Sequence, residues 1–146
     1  MRAASRFGLI AGTFASLMIA TAAVAQLASP RIWPELKEAV QERADRNAYP
    51  MTGMKAGDVR EILSHINSLD RDEWAAGWMS MGSRYAAEAA KLEPTDKSAA
   101  RDAYLMAFRY AAFGAWPTQN SPGKKESLHC CRDRLPQIRG LDRSAD

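Results

Sequence analysis

Residues 70–116, DRDEWAAGWMSMGSRYAAEAAKLEPTDKSAARDAYLMAFRYAAFGAW, decide the fold of this chain. Two amphipathic stretches with matched aromatic faces lie on either side of a turn marked by Pro94. In the first, Trp74, Trp78, Met81, Tyr85 and Leu92 fall close to one helical face, with Arg71, Asp72, Arg84 and Lys91 mostly elsewhere. Asp70, with Glu73 three residues on, has the spacing of a capping box that starts this helix. In the second stretch Thr95 or Asp96 supplies the cap, Ala99, Ala103, Met106, Tyr110 and Phe113 form the seam, and Gly114 is placed to terminate it. Small residues on both stretches, among them Ala86, Ala89, Ala90, Ala100, Ala107 and Ala111, let the two helices approach closely.

The same logic extends toward the N-terminus. Pro34 sits where a first helical residue tolerates proline, and Trp33, Leu36, Val40 and Ala44 follow on one face of a helix that ends near Asn47. Pro50, Gly53 and Gly57 mark the following stretch as a loop. A second helix is expected to start at Asp58, capped by it with Glu61 reaching back, and to bury Val59, Ile62, Leu63, Ile66 and Leu69. No alternating strand pattern of useful length occurs. The predicted fold class is all-α: a bundle of four to five amphipathic helices over residues 26–123. The stretch 124–146 is expected to be irregular, because Leu128, Leu135, Ile138 and Leu141 are interrupted by Pro136 and weakened by Gly140.

Residues 1–25 have the parts of a cleavable signal peptide: Arg2 and Arg6, an apolar run from Phe7 to Val24, and Ala23-Val24-Ala25 before Gln26. The run is diluted by Gly8, Gly12, Thr13, Ser16 and Thr21, so cleavage is favoured over a lasting membrane span. The expected location is therefore periplasmic or secreted. Removing two arginines and no acid takes the formal net charge from +3 to +1. The surplus positive charge then lies in residues 124–146, and no basic patch on a fold suggests nucleic acid as a partner. About 120 mature residues make one small domain. The only cysteines, Cys130 and Cys131, are adjacent and close no long loop.

A catalytic set is hard to assemble. The cluster Ser80-Met81-Gly82-Ser83 lies in a strong helical pattern, without the strand-turn-helix setting of a nucleophile elbow. His65 and His129 are the only histidines; His65 falls at the edge of an apolar stripe. His129-Cys130-Cys131 lacks the ligands for structural zinc, and no metal or organic cofactor is indicated. Asp70, Asp72 and Glu73 fit a helix N-terminus, where acids oppose the dipole. The aromatic stripe containing Trp74 and Trp78 is read first as core, with pocket lining as the alternative.

Several of these residues carry a family resemblance. Asp72-Glu73-Trp74 followed by Trp78, then Ala100-Arg101-Asp102-Ala103-Tyr104-Leu105 through Phe108-Arg109-Tyr110-Ala111, then a loop with Pro122 and Lys124, resembles the N-terminal helical region of a group of serine α/β-hydrolases. The group includes dihydropseudooxynicotine hydrolase and the fermentation-respiration-switch esterases, and the match spans roughly 54–127. The resemblance implies helices that precede and cap an α/β-hydrolase core, over a Ser-Asp-His triad. It implies Trp74, Trp78, Tyr104 and Phe108 as core or pocket-lining residues, and it carries over no catalytic residue.

From Leu128 the composition shifts to Cys, Arg, Pro and Asp with poor periodicity, as out-of-frame translation would give. Read from the second base of each codon, His129 becomes Ile or Thr, and Cys130 and Cys131 each become Ala or Val. That string suits a continuing helix; an authentic short tail is the alternative. The chain is accordingly expected to be a non-catalytic N-terminal fragment of an exported serine α/β-hydrolase. Its partner would be a missing or separately encoded hydrolase core, and an orphan cap would tend to self-associate. Two other classes stand beside it. One is an independent periplasmic helical-hairpin module resembling tetratricopeptide repeats, although no repeat of about 34 residues is visible. The other is a small ligand-binding bundle that uses the tryptophans.

Overall fold

Pro34 occupies the first turn of helix α1, Trp33–Asp45, where its missing N–H would have had no intrahelical partner. The computed structural model describes residues 32–142, and the expected signal peptide lies outside them. Five further helices follow: α2 Ala56–His65, α3 Arg71–Leu92, α4 Lys97–Ala115, α5 Pro122–Asp133 and α6 Leu135–Asp142. Among the described residues the fold is all-helical, without strands, and no helix is long and apolar enough to cross a membrane.

The α3–α4 hairpin is the frame. Asp70 Oδ1 accepts from the backbone N–H groups of Asp72 and Glu73, and Asp96 Oδ1 does the same for Ala99, so both expected caps form. The reciprocal half of the capping box differs. Glu73 reaches past Asp70 to accept from the Asn67 N–H at 2.7 Å and from the Ser68 hydroxyl, while the Asp70 N–H donates to Ser68 Oγ. Where α3 crosses α4, a Cβ at Gly82 would stand 3.1 Å from the Ala107 carbonyl oxygen, so the absent side chain is what permits the approach. The core between them centres on Trp78, 0% exposed, which packs edge-on to Phe113 at 4.5 Å and stacks with Tyr110 at 6.3 Å.

Gly114 acts differently from its expected role as helix terminator. It lies inside α4, and a Cβ there would collide with Ser127 Oγ and stand 3.2 Å from the Trp78 Cβ. The glycine therefore admits α5 against the α3–α4 hairpin. Ser127, fully buried, donates its hydroxyl proton to the Ala111 carbonyl at 2.7 Å.

Asp58 also departs from expectation. Helix α2 begins two residues earlier, at Ala56, with Lys55 at the N-cap position and no side-chain cap. Asp58 Oδ2 instead accepts from the hydroxyls of Tyr85, at 2.6 Å, and Tyr110, at 2.7 Å. The Lys55 backbone N–H donates to the Tyr110 oxygen at 3.2 Å. One carboxylate thus joins α2 to both helices of the hairpin. Leu69, expected in the α2 stripe, lies beyond that helix and is 58% exposed, whereas Ile66, just past the helix end, is buried.

Burial first, and the bond to Asp58 second, raise the pKa of both tyrosine hydroxyls. Tyrosine in an unfolded chain titrates near 10. The stabilisation from the raised pKa is therefore complete below about pH 10 and is lost as pH climbs above it, where the unfolded state releases protons the folded state keeps. We expect stability measured by urea unfolding to fall between about pH 10 and pH 12, and to fall less steeply in Tyr110→Phe. Identical slopes in the two proteins would remove Tyr110 from this linkage.

The stretch 124–146, expected to be irregular, carries α5 and α6 as far as Asp142. Ser121 caps α5, accepting from the Lys124 N–H, and Pro122 takes its first turn. Lys124, Ser127 and Cys131 form its buried face at helical spacing. Leu141 of α6 joins Ala89, Ala100, Ala103 and Tyr104 in a second, smaller apolar cluster. Helices α1–α4 over residues 33–115 fall within the expected four to five, and α5 and α6 are added by the stretch expected to be irregular.

Candidate functional site

Aromatic residues at helix ends, rather than along helix middles, enclose the most distinctive cavity. Trp33 and Leu36 come from the start of α1, Trp74 from the first turns of α3, Phe113 from the end of α4, Trp116 from the residue after it, and Lys124 from α5. They line a cleft of about 300 Å³, also bordered by Val40, Ser68, Leu69, Asp70, Arg71 and Pro117. The Asp70 cap fixes where α3 starts and so places Trp74 on this wall. Trp33 meets Trp74 edge-on at 6.5 Å, and Phe113 lies 5.6 Å from both Trp74 and Trp116, stacked on the latter at an interplanar angle of 11°. The Lys37 ammonium sits 4.9 Å from the centre of the Trp33 ring, a cation–π contact that steadies the outer wall. Leu69 and Trp116 leave apolar surface exposed at the cleft, the latter 44% accessible.

One charged group is out of place by ordinary rules. Lys124 is 6% exposed, and its Nζ donates to the Trp116 carbonyl at 2.8 Å. Burial, with a smaller contribution from the nearby Arg71 guanidinium, lowers its pKa. The Asp70 carboxylate on the same rim is occupied as the α3 cap, and Asp72 Oδ1 accepts from the Gly123 N–H at 2.9 Å.

The four residues expected to line a pocket or core do not share one site. Trp74 lines the cleft; Trp78 lies beneath, at the core centre; Tyr104 belongs to the second cluster and donates its hydroxyl proton to Glu93 at 3.0 Å. Phe108 is half-buried on α4 and joins neither cluster. The cleft residues Trp33, Leu69, Arg71, Trp116 and Lys124 were outside that expectation. The available signal was position: Trp33-Pro34 and Trp116-Pro117 put indoles at helix ends, beside the connecting segments rather than in the middle of a stripe.

The described residues assemble no nucleophile–base pair. Ser80 and His65 border one shallow depression of about 110 Å³ with Glu61, yet no hydrogen bond joins them, and Glu61 ion-pairs with Arg84. His129 pairs with Asp133 at 3.6 Å on the surface of α5. The Cys131 thiol is buried and its pKa pushed up to about 11 by that burial, which holds it in the unreactive protonated form. Among the described residues no three His, Cys, Asp or Glu side chains are grouped to hold a metal ion.

Compared with family models, with curated proteins and with solved structures, the chain matches none.

Proposed function

We propose that this chain is the non-catalytic helical cap portion of an exported serine α/β-hydrolase of the dihydropseudooxynicotine-hydrolase and fermentation-respiration-switch-esterase type. The nucleophile, its base and the oxyanion donors would be supplied by a core outside the described residues. In the complete enzyme the reaction would be serine attack on a carbonyl carbon with acyl transfer to water. The observation that carries the reading is a convergence. Two residues that bear the resemblance and stand some fifty positions apart, Trp74 and Lys124, line the same cavity, and beside it Asp72 accepts from the Gly123 N–H. Such a cleft, walled by aromatics and open on one side, is suited to covering a substrate that another body transforms. Export by the leader, to periplasm or medium, belongs to the same proposal.

The decisive experiment is to sequence the encoding DNA from the Trp116 codon through roughly 300 further codons, the span an α/β core needs, and translate all frames. A frame that continues into a Gly-x-Ser-x-Gly elbow with later Asp and His is the expected result. Its absence from every frame overturns the hydrolase reading. A second reading, an independent interaction module, is favoured by the exposed Leu69 and Trp116 beside the cleft. It requires a monomer or defined oligomer with a cooperative melt, whereas an orphan cap self-associates.

A further inference from the structure

The Lys124 ammonium is the starting point. A cation withdrawn from water is strongly disfavoured unless it is paired and hydrogen-bonded. Lys124 has three N–H groups, of which one meets the Trp116 carbonyl, and no carboxylate forms an ion pair with it among the described residues. Its nearest charged influence is another cation, Arg71, which lines the same cleft and makes no hydrogen bond or ion pair of its own among the described residues. The two acids close by are engaged elsewhere, Asp70 with the α3 amides and Asp72 with the Gly123 amide. Trp33, which also lines the cleft, has its indole N–H buried in the wall without an acceptor. Around the Lys124 and Arg71 cations the walls are indole and phenyl rings.

We infer that the cleft binds a small monocarboxylate with an aromatic or branched aliphatic body, its carboxylate set on the Lys124 ammonium and the Arg71 guanidinium. The anion supplies the missing counter-charge, and the body replaces water between Trp33, Trp74 and Trp116. A volume of about 300 Å³ stands at the small end of cavities that take organic ligands, which favours a free acid over a side chain delivered by a protein. The planar Arg71 fork can take both carboxylate oxygens, while Lys124 acts as a point charge deeper in the wall. What the binding is for rests on the cap reading, in which it would select acid-bearing substrates for the hydrolase. The binding itself does not depend on that reading.

The test uses the purified chain and tryptophan fluorescence, since Trp33, Trp74 and Trp116 all line the cleft. The probe is 3-phenylpropionate, with its neutral amide, 3-phenylpropanamide, and phenethylamine as controls. The expected result is a saturable change with the acid, an affinity at least about tenfold weaker for the amide, and none for the amine. Lys124→Met should abolish the preference for acid over amide, and the exposed Arg71→Gln should reduce it several-fold with an unchanged circular dichroism spectrum. If Lys124→Met does not fold, Arg71→Gln alone decides. No saturable change with the acid, equal binding of acid and amide, or an unchanged preference in Arg71→Gln each overturns the proposal. A glutamate-bearing peptide that binds more tightly than the free acid would likewise overturn it, in favour of a protein partner. A hydrolase frame absent from the DNA would leave a positive binding result standing, so the two failures are distinguishable.

Discussion

Trp78→Ala is expected to lower the free energy of unfolding by about 3–5 kcal/mol, the loss typical of truncating a large buried aromatic. Trp78 has no exposed surface, and its ring lies 4.5 Å from Phe113, 5.3 Å from Trp74 and 6.3 Å from Tyr110. The cavity left behind could not close readily, because α3 and α4 already touch at Gly82 and α5 at Gly114. Its neighbours would have to move as helices rather than as side chains. A domain of this size has about 5–15 kcal/mol in total, so the variant should melt far below the parent or lose its cooperative transition. Urea unfolding followed by circular dichroism measures this; a loss under about 1 kcal/mol would place the true core elsewhere.

Asp58→Ala is the second large effect, about 2–4 kcal/mol. The substitution removes the acceptor shared by Tyr85 and Tyr110, both of which lie at the edge of the core or within it. Hydrogen bonds to a charged group contribute about 1.5–3 kcal/mol each, and the loss falls short of the sum of two because Asp58 is only partly buried and water can take up part of what is removed. Asp58→Asn keeps one oxygen and should lose less. A double-mutant cycle between Asp58→Ala and Tyr110→Phe isolates the pair; additive losses would show that Asp58 acts through something other than the hydroxyl.

The hairpin could be read from residues 70–116 because every local signal there agrees: acidic caps, aromatic periodicity, a proline in the turn. Where the reading and the structure part, side chains serve partners distant in sequence. Asp58 looks like an N-cap in its own segment, but its carboxylate is bound by tyrosines 27 and 52 residues away. Gly114 looks like a terminator and is instead the gap that Ser127 fills. Helix α5 was hidden because its buried face is spelled Lys124, Ser127 and Cys131, two of them polar, so no apolar stripe announces it. The cleft was hidden for a related reason. Its walls come from four helices and two connecting segments, and nothing in a single periodic stretch brings Trp33, Trp74 and Trp116 together.

The four-residue link Glu93–Asp96 between α3 and α4 bears on how the molecule assembles. Contacts across the hairpin close short loops, so little chain entropy is lost before packing rewards it, and sequence-local helical pairs of this kind form early and fast. Helix α2 must then wait for that surface, since the Asp58 carboxylate finds its hydroxyls only after Tyr85 and Tyr110 stand side by side, 5.5 Å apart. Helix α1 packs mainly on α2 and touches the hairpin through Trp33, so its docking depends on α2 being in place. The outer wall of the cleft is therefore carried by a helix held to the hairpin at second hand, and amide hydrogens of α1 should exchange with solvent before those of α3 and α4.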